Sequence, residues 1–183
     1  MIALFFDTET TGFKSSTFTP EIVQIGAILQ DTESLRVLAE LNMIVKATKP
    51  IPPEVTAIHG ITDELSQKFG VRTGFVDNMF ALLASNADVI VAHNIEFDVG
   101  IVNGVWDISR AIIATKEQYC TMKSATDVVG IPKSHAGGNK YPKLAEAYKY
   151  FFNKEFANAH DAMSDVRACR DVYFALMAHE AAA

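Results

Sequence analysis

The chain has 183 residues, of which 49% are hydrophobic and 21% are charged, so it can bury most of its apolar surface in one domain. Its formal net charge of −6 argues against a protein that coats nucleic acid through a general basic surface, but it leaves room for local positive charge or a bound cation. No window approaches about 18 uninterrupted apolar residues and no signal-peptide pattern is present, so we expect a cytoplasmic protein without a membrane partner.

The first part of the chain is rich in strand patterns. Residues 2–6 (IALFF) predict a central strand, because near-continuous apolar character indicates burial on both faces. Residues 22–29 (IVQIGAIL) and 35–45 (LRVLAELNMIV) predict two further strands, joined by turn-forming residues, and the three strands together predict an antiparallel meander. The prolines that follow are expected to interrupt regular structure, since each fixes φ and lacks a backbone donor: Pro50, Pro52 and Pro53.

From residue 62 onward the apolar residues recur at helical spacing. Residues 89–92 (VIVA) predict a fourth strand, whereas residues 106–128 fit neither pattern clearly. Strands followed by helices with an interleaved strand indicate an α/β fold with a single mixed central sheet flanked by helices. We expect one domain over residues 1–183 with a short disordered alanine tail near 180–183, and helices near 94–104, 143–152 and 161–178.

Two carboxylates follow the first predicted strand. Asp7 and Glu9 are two residues apart, so on a strand they would point to the same side, roughly 6 to 7 Å from each other. Two anions at such a distance repel each other, and a metal ion or a shared proton is the usual compensation. The alternative is an ordinary acidic strand end that runs into a turn at Gly12.

A second polar group comes directly after the fourth predicted strand. His93, Asn94 and Asp98 lie where that strand gives way to a helix, which is a position that active sites of α/β folds favour. We interpret His93 and Asn94 as structural residues of the turn rather than catalytic ones.

A third group begins the last predicted helix. Asp161 and Asp165 are four residues apart and would share a helical face, whereas His160 and Asp165 lie about 140° apart on a regular helix. Asp161 is equally well explained as a helix N-cap, and His160 would then lie outside the regular helix. Spacing alone does not decide whether Asp161 or His160 is the partner of Asp165.

The segments FDTETTG, HNIEFD and HDAMSD, in this order and about 90 and 60 residues apart, closely resemble the three exonuclease motifs of the DnaQ-like DEDDh family. That family comprises 3′-to-5′ exonucleases with a ribonuclease H-like fold. The resemblance runs from about residue 2 to residue 176, and IHGIT at residues 58–62 also resembles a family segment. Three motifs in order, each at a strand or helix edge, are a specific signal.

Carried over by motif, the resemblance implies a two-metal phosphodiesterase. Asp7 would bridge two divalent cations, Mg²⁺ or Mn²⁺; Glu9 and Asp165 would complete the first site, and Asp98 would hold the second largely through water. His160 would take a proton from the attacking water near neutral pH. The implied product is a nucleoside 5′-monophosphate released from the 3′ end of a single strand, with DNA favoured over RNA.

Four residues are candidate substrate contacts: Thr10, Phe13, His59 and Asn94. Thr10 would contact the terminal sugar beside the metals, and Phe13 would stack on a base unless it packs in the core. Gly60 permits close backbone approach next to His59, although a lone histidine is often only a satisfied polar group. A loop with Lys133, His135, Lys140, Tyr141 and Lys143 could grip a phosphate backbone, although a solvated loop is the default interpretation.

Three functions compete on this pattern. The first is the metal-dependent 3′-to-5′ exonuclease, working alone or with a polymerase or another replication or repair partner. The second is an inactive nucleic-acid-binding module on the same fold, which would normally lack one of the metal ligands. The third is an enzyme that trims RNA or cuts internally. All five motif residues are present, which favours the first.

Overall fold

The five strands of the computed structural model, which describes residues 1–12, 19–134 and 137–182, form one sheet in the order β3-β2-β1-β4-β5. β1, β2 and β3 pair antiparallel, and β4 and β5 add parallel strands on the other side of β1. The predicted α/β fold with its three-strand meander is confirmed. The strands are β1 Ile2–Thr10, β2 Ile22–Asp31, β3 Val37–Ile44, β4 Val89–Ala92 and β5 Glu117–Cys120.

Helices cover both faces of this sheet. None of those in the described ranges is long and apolar enough to cross a membrane. They are α1 Pro53–His59, α2 Asp63–Phe69, α3 Thr73–Ser85, α4 Ile95–Val105, α5 Asp107–Ile113, α6 Thr121–Val129, α7 Leu144–Phe152 and α8 Ala162–Ala182.

The structure corrects two expectations about these elements and assigns one stretch that the sequence left open. Pro53 does not interrupt regular structure but begins α1, where its missing N–H is no loss and its fixed φ suits the first turn. Residues 106–128, which fitted neither pattern, contain α5, β5 and most of α6. Residues 180–182, expected to be a disordered tail, belong to α8, and residue 183 lies outside the described residues.

Packing on both faces of β1 fixes the direction of its side chains. Leu4 and Phe6 are fully buried against the α3 side, where the Phe6 and Phe80 rings lie 5.2 Å apart. Phe5 is fully buried on the opposite face, with its ring 5.3 Å from that of Tyr173 on α8. Because side chains alternate along a strand, the odd-numbered residues that follow point toward α8 and the even-numbered ones toward α4.

The start of α8 lies directly on β2 because Gly26 has no side chain. Gly26 is the register partner of Asp7 on β1. A Cβ atom on Gly26 would lie 2.7 Å from the carbonyl carbon and oxygen of Ala162 and 2.8 Å from the nitrogen of Met163. Such distances are too short for van der Waals contact, so any larger residue would push the helix away from the sheet. The first turn of α8 is therefore held above Asp7.

Substituting Gly26→Ala should destabilise the protein by about 1–3 kcal/mol, because the added methyl group overpacks a contact with backbone atoms that cannot move aside independently. Gly74→Ala is the matched control, since a Cβ there meets nothing within 4 Å. Denaturant unfolding of both variants measures the difference. Equal stability of the two variants would contradict the role given to Gly26.

Candidate active site

Asp7 and Glu9 project from the odd-numbered face of β1 toward α8. Burial raises the pKa of Asp7 well above its usual value, and the nearby Asp98, Asp165 and Glu9 carboxylates raise it further. Burial likewise raises the pKa of Glu9 to about 8, with the next largest contribution from Asp165. The predicted pair on one strand face is thus part of a larger cluster of interacting acids.

Asp98 reaches this cluster from the first turn of α4. Its side chain is buried, and its Oδ1 atom accepts hydrogen bonds from the Thr8 backbone N–H at 3.1 Å and from the Thr8 hydroxyl at 2.8 Å. Burial raises the pKa of Asp98 to about 7, although the hydrogen bonds from Thr8 act in the opposite direction. Thr8 therefore anchors α4 to β1 besides separating the two strand carboxylates.

Asp165 and His160 come from the start of α8. The Oδ2 atom of Asp165 accepts a hydrogen bond from the His160 backbone N–H at 3.2 Å. Its Oδ1 atom is buried and has no hydrogen-bond partner in the described structure, and burial raises its pKa to about 6. His160 has a left-handed backbone with φ of 69° and precedes the helix, so helical spacing does not apply to it.

Asp161 is the N-cap of α8. Its Oδ1 atom accepts hydrogen bonds from the backbone N–H of Ser164 at 3.0 Å and from the Ser164 hydroxyl at 3.1 Å. Although burial raises the pKa of Asp161, hydrogen bonds from Gln24 and Ser164 hold it below its usual value. Asp161 therefore has the N-cap geometry that the sequence allowed, with both of its carboxylate oxygens accepting hydrogen bonds.

Gln24 on β2 ties this helix start to the sheet. Its Nε2 atom donates to Asp161 Oδ2 and to Asn42 Oδ1, both at 3.0 Å, and its Oε1 atom accepts from the Ala162 N–H at 3.3 Å. Sequence reasoning missed Gln24. The available signal was a polar residue inside the otherwise apolar strand IVQIGAIL.

The donor set suits a hard divalent cation. Glu9, His160 and Asp165 each offer a ligand atom, and these atoms lie within 4.8 Å of one another. The Oδ1 atom of Asp165 has no hydrogen-bond partner among the described residues, and the pKa values of the four clustered carboxyls stay raised despite hydrogen bonds from Thr8 and His160. Carboxylate oxygens are the ligands that Mg²⁺ and Mn²⁺ prefer.

A cleft of about 240 Å³ opens beside the carboxylates. His59 lies in its wall: Nδ1 accepts from the Ile61 N–H at 3.0 Å, whereas Nε2 is buried and makes no hydrogen bond of standard geometry among the described residues, although the Thr10 carbonyl is close enough to act on the pKa of the ring. Burial lowers the pKa of His59, which favours the neutral ring. The lining residues are Thr8, Glu9, Thr10, Gly12, Val55, Ile58, His59, Phe97 and His160.

Of the other two candidate contacts, Asn94 is not among the described residues that line this cleft. Asn94 is exposed at the start of α4, where its left-handed backbone, with φ of 72°, turns the chain from β4 into the helix. Phe13 lies outside the described residues. The structure therefore brings Thr10 and His59 to the cleft, and it places Asn94 beside the turn.

His93 joins three segments next to the site. Its Nε2 atom lies 3.0 Å from the Pro142 carbonyl, and its Nδ1 atom lies 2.9 Å from the Thr121 hydroxyl. Because a carbonyl only accepts, Nε2 carries the proton and Nδ1 accepts from Thr121. Burial lowers the pKa of His93 to about 4, which keeps the ring neutral. These contacts fit the structural interpretation of His93.

A family model described as an exonuclease, RNase_T, matches residues 4–173. DNA polymerase III subunit epsilon of Treponema pallidum is 26% identical over 176 residues, covering 96% of this chain and 76% of the relative. An uncharacterized exonuclease of Escherichia phage 186 is 30% identical over 179 residues, covering 94% and 87%. These relatives align with almost the whole chain.

Among solved structures, E. coli exonuclease I in complex with a dT13 oligonucleotide matches 96% of this chain with a TM-score of 0.76 and 21% identity. The chain spans about 40% of that protein. The likeness shows a shared ribonuclease H-like fold.

The free energy of unfolding of the metal-free protein should decrease as the pH is raised from 6.5 to 8.5. In this range the unfolded chain has already lost the Glu9 proton, whose ordinary pKa is 4.5, whereas the folded chain holds it up to about 8. The folded state therefore binds more protons, and stability decreases as the pH rises, by an amount on the order of 2 kcal/mol.

Denaturant unfolding in chelator at several pH values measures this slope. Glu9→Gln should flatten it, because the amide does not titrate. A flat curve for the unmodified protein, or an equal slope in the variant, would contradict the assignment of this pH dependence to the buried carboxyls.

Proposed function

Because the chain belongs to the RNase_T exonuclease family, we propose that residues 1–183 form one exonuclease domain that acts from the 3′ end of single-stranded nucleic acid and releases nucleoside 5′-monophosphates. The observation that carries this proposal is the convergence of four carboxylates from β1, α4 and α8 with His160. The neighbouring cleft is suited to a terminal nucleotide. The 3′-to-5′ direction rests on the motif resemblance.

The four carboxylates would hold two divalent cations, Mg²⁺ or Mn²⁺. Asp7 would be shared by both; Glu9 and Asp165 would complete one site, and Asp98 would serve the other. When bound, such cations offset phosphodiester charge and favour both the attacking and the leaving oxygen. The unpartnered Asp165 oxygen and the raised carboxyl pKa values support this assignment.

His160 would act as the general base. Its side chain is exposed and in reach of the carboxylate cluster, while its backbone N–H is held by Asp165. A neutral imidazole ring can accept a proton from an attacking water. His160 lies before the first residue of α8, so the turn ahead of the helix sets the direction of its ring.

The terminal nucleotide would enter the cleft beside His59 and Thr10. The buried Nε2–H of a neutral His59 ring, which lies near the Thr10 carbonyl, would offer a hydrogen bond to the substrate. Phe13 and Asn94 remain proposed substrate contacts, on the motif resemblance alone. DNA is favoured over RNA because the relatives include a DNA polymerase III subunit and exonuclease I bound to dT13. A polymerase partner is proposed on the same similarity.

Single-stranded DNA or RNA of equal sequence, labelled at the 5′ end, should be shortened stepwise from the 3′ end when Mg²⁺ is present. Asp7→Ala should abolish this activity because the shared ligand is lost. Asp107→Ala, at an exposed position at the start of α5, is the control. A circular oligonucleotide should stay intact. Cleavage of the circle, or activity that persists in chelator, would overturn the proposed mechanism.

His160→Ala should lower turnover by roughly 10²–10⁴-fold, which is the usual contribution of a general base, while Mn²⁺ affinity stays unchanged. His179→Ala, at the exposed end of α8, is the matched control. Steady-state kinetics and calorimetric Mn²⁺ titration separate the two effects. If Mn²⁺ affinity fell together with turnover, His160 would instead be a metal ligand.

A further inference from the structure

Positive charge is concentrated in one part of this acidic chain. Between the start of α6 and the end of α7, at residues 121–152, the sequence has five lysines and two acidic residues. The remaining residues carry eleven basic and twenty acidic side chains. Single-stranded nucleic acid is a polyanion, and proteins that hold it combine local positive charge with exposed aromatic side chains.

This basic segment adjoins the carboxylate site. His93 binds the Pro142 carbonyl at 3.0 Å and stands five residues before Asp98. Lys123 on α6 forms an ion pair at 2.5 Å with Glu96 on the first turn of α4. These two contacts place residues 123 and 142 beside the turn from β4 into α4 that leads to Asp98.

An exposed aromatic side chain lies among the lysines. Tyr141 is 59% exposed. The pKa of the Lys123 ammonium is raised mainly by its hydrogen bond to Glu96, and Tyr141 is close enough to contribute. Lys133 and Lys143 are exposed, and no carboxylate of the described residues forms an ion pair with either. The backbone pairing of Pro132 with Asn139 holds the Lys133 segment beside residues 140–143.

The first turn of α4 separates the cleft from this surface. Phe97 lines the cleft, whereas the adjacent Glu96 contacts Lys123 on the other side. A strand whose terminal nucleotide occupies the cleft would meet the lysines after it passes the first turn of α4. This inference rests on the proposed function, since it assumes that the 3′ nucleotide enters the cleft.

We propose that Lys123, Lys133, Tyr141 and Lys143, here called the upstream surface, bind the nucleotides that lie 5′ of the scissile phosphodiester. The lysines contact phosphates and Tyr141 stacks on a base, so binding is independent of base sequence and tolerates DNA and RNA alike. Glu96 weakens this binding, because its carboxylate forms an ion pair with Lys123 and repels the incoming phosphate.

Binding is measured by fluorescence anisotropy with labelled 12-nucleotide DNA and RNA in an Asp7→Asn background, which prevents cleavage. Lys133→Ala combined with Lys143→Ala should reduce the slope of log K against log salt by about 1.4, since each phosphate contact to a single strand contributes about 0.7. Tyr141→Ala should raise Kd about fivefold or more. Glu96→Gln should lower Kd, while Lys68→Ala on α2 is the control.

A mononucleotide substrate distinguishes this surface from the catalytic site. With Asp7 restored, each variant is tested for Mg²⁺-dependent hydrolysis of the p-nitrophenyl ester of thymidine 5′-monophosphate, which is too short to reach the upstream surface. Rates on this ester should match those of Lys68→Ala. If the unmodified protein neither hydrolyses the ester nor shortens oligonucleotides, the proposed function is wrong.

If it does both, the upstream surface is overturned when the lysine and tyrosine variants bind the 12-nucleotide strands as tightly as Lys68→Ala. The proposal would also be overturned if the variants lost ester hydrolysis to the same extent as binding of the long strands, because the effect would then lie in the catalytic site. Tighter binding by Glu96→Gln together with weaker binding by the lysine variants supports it.

Discussion

Apolar packing on both faces of β1 holds the carboxylate cluster together against its own electrostatic repulsion. Phe5 and Phe6 are completely buried on opposite faces, so the strand cannot rotate or slip without exposing one of them. Asp7 and Glu9 continue that strand toward α8, and burial together with the neighbouring carboxylates raises the pKa of both, because charge is unfavourable there. The stability of the fold therefore maintains an arrangement that the carboxylates alone would disperse.

The start of α8 shows how neighbouring acids receive different roles. Asp161 accepts hydrogen bonds from Ser164 and Gln24, which satisfy it as a helix cap. Asp165, one turn later, keeps an unpartnered buried oxygen that faces the cluster. Gly26 allows this helix end to rest on the sheet, and Gln24 fixes its position. Both oxygens of Asp161 thus accept hydrogen bonds, whereas one oxygen of Asp165 does not.

Local patterns in the sequence predicted much of this arrangement. The apolar run into Asp7, the helix after VIVA and the last helix all follow from periodicity over adjacent residues. The contacts of Thr8 with Asp98 and of Gln24 with Asp161 were not predictable, because each joins residues about 90 or more positions apart. The position of His160 ahead of α8 involves a left-handed backbone angle that residue spacing does not reveal. The short elements between residues 106 and 128 lack enough turns for a clear period.

The central claim is that the clustered carboxylates form a divalent-cation site. Calorimetric titration of the chelator-treated protein with Mn²⁺ at pH 7.5, in two buffers of different ionisation enthalpy, counts both the cations bound and the protons released. The account predicts two cations per chain with release of at least one proton, because carboxyls with raised pKa values must ionise to become ligands. The absence of saturable binding, or binding without proton release, would contradict it.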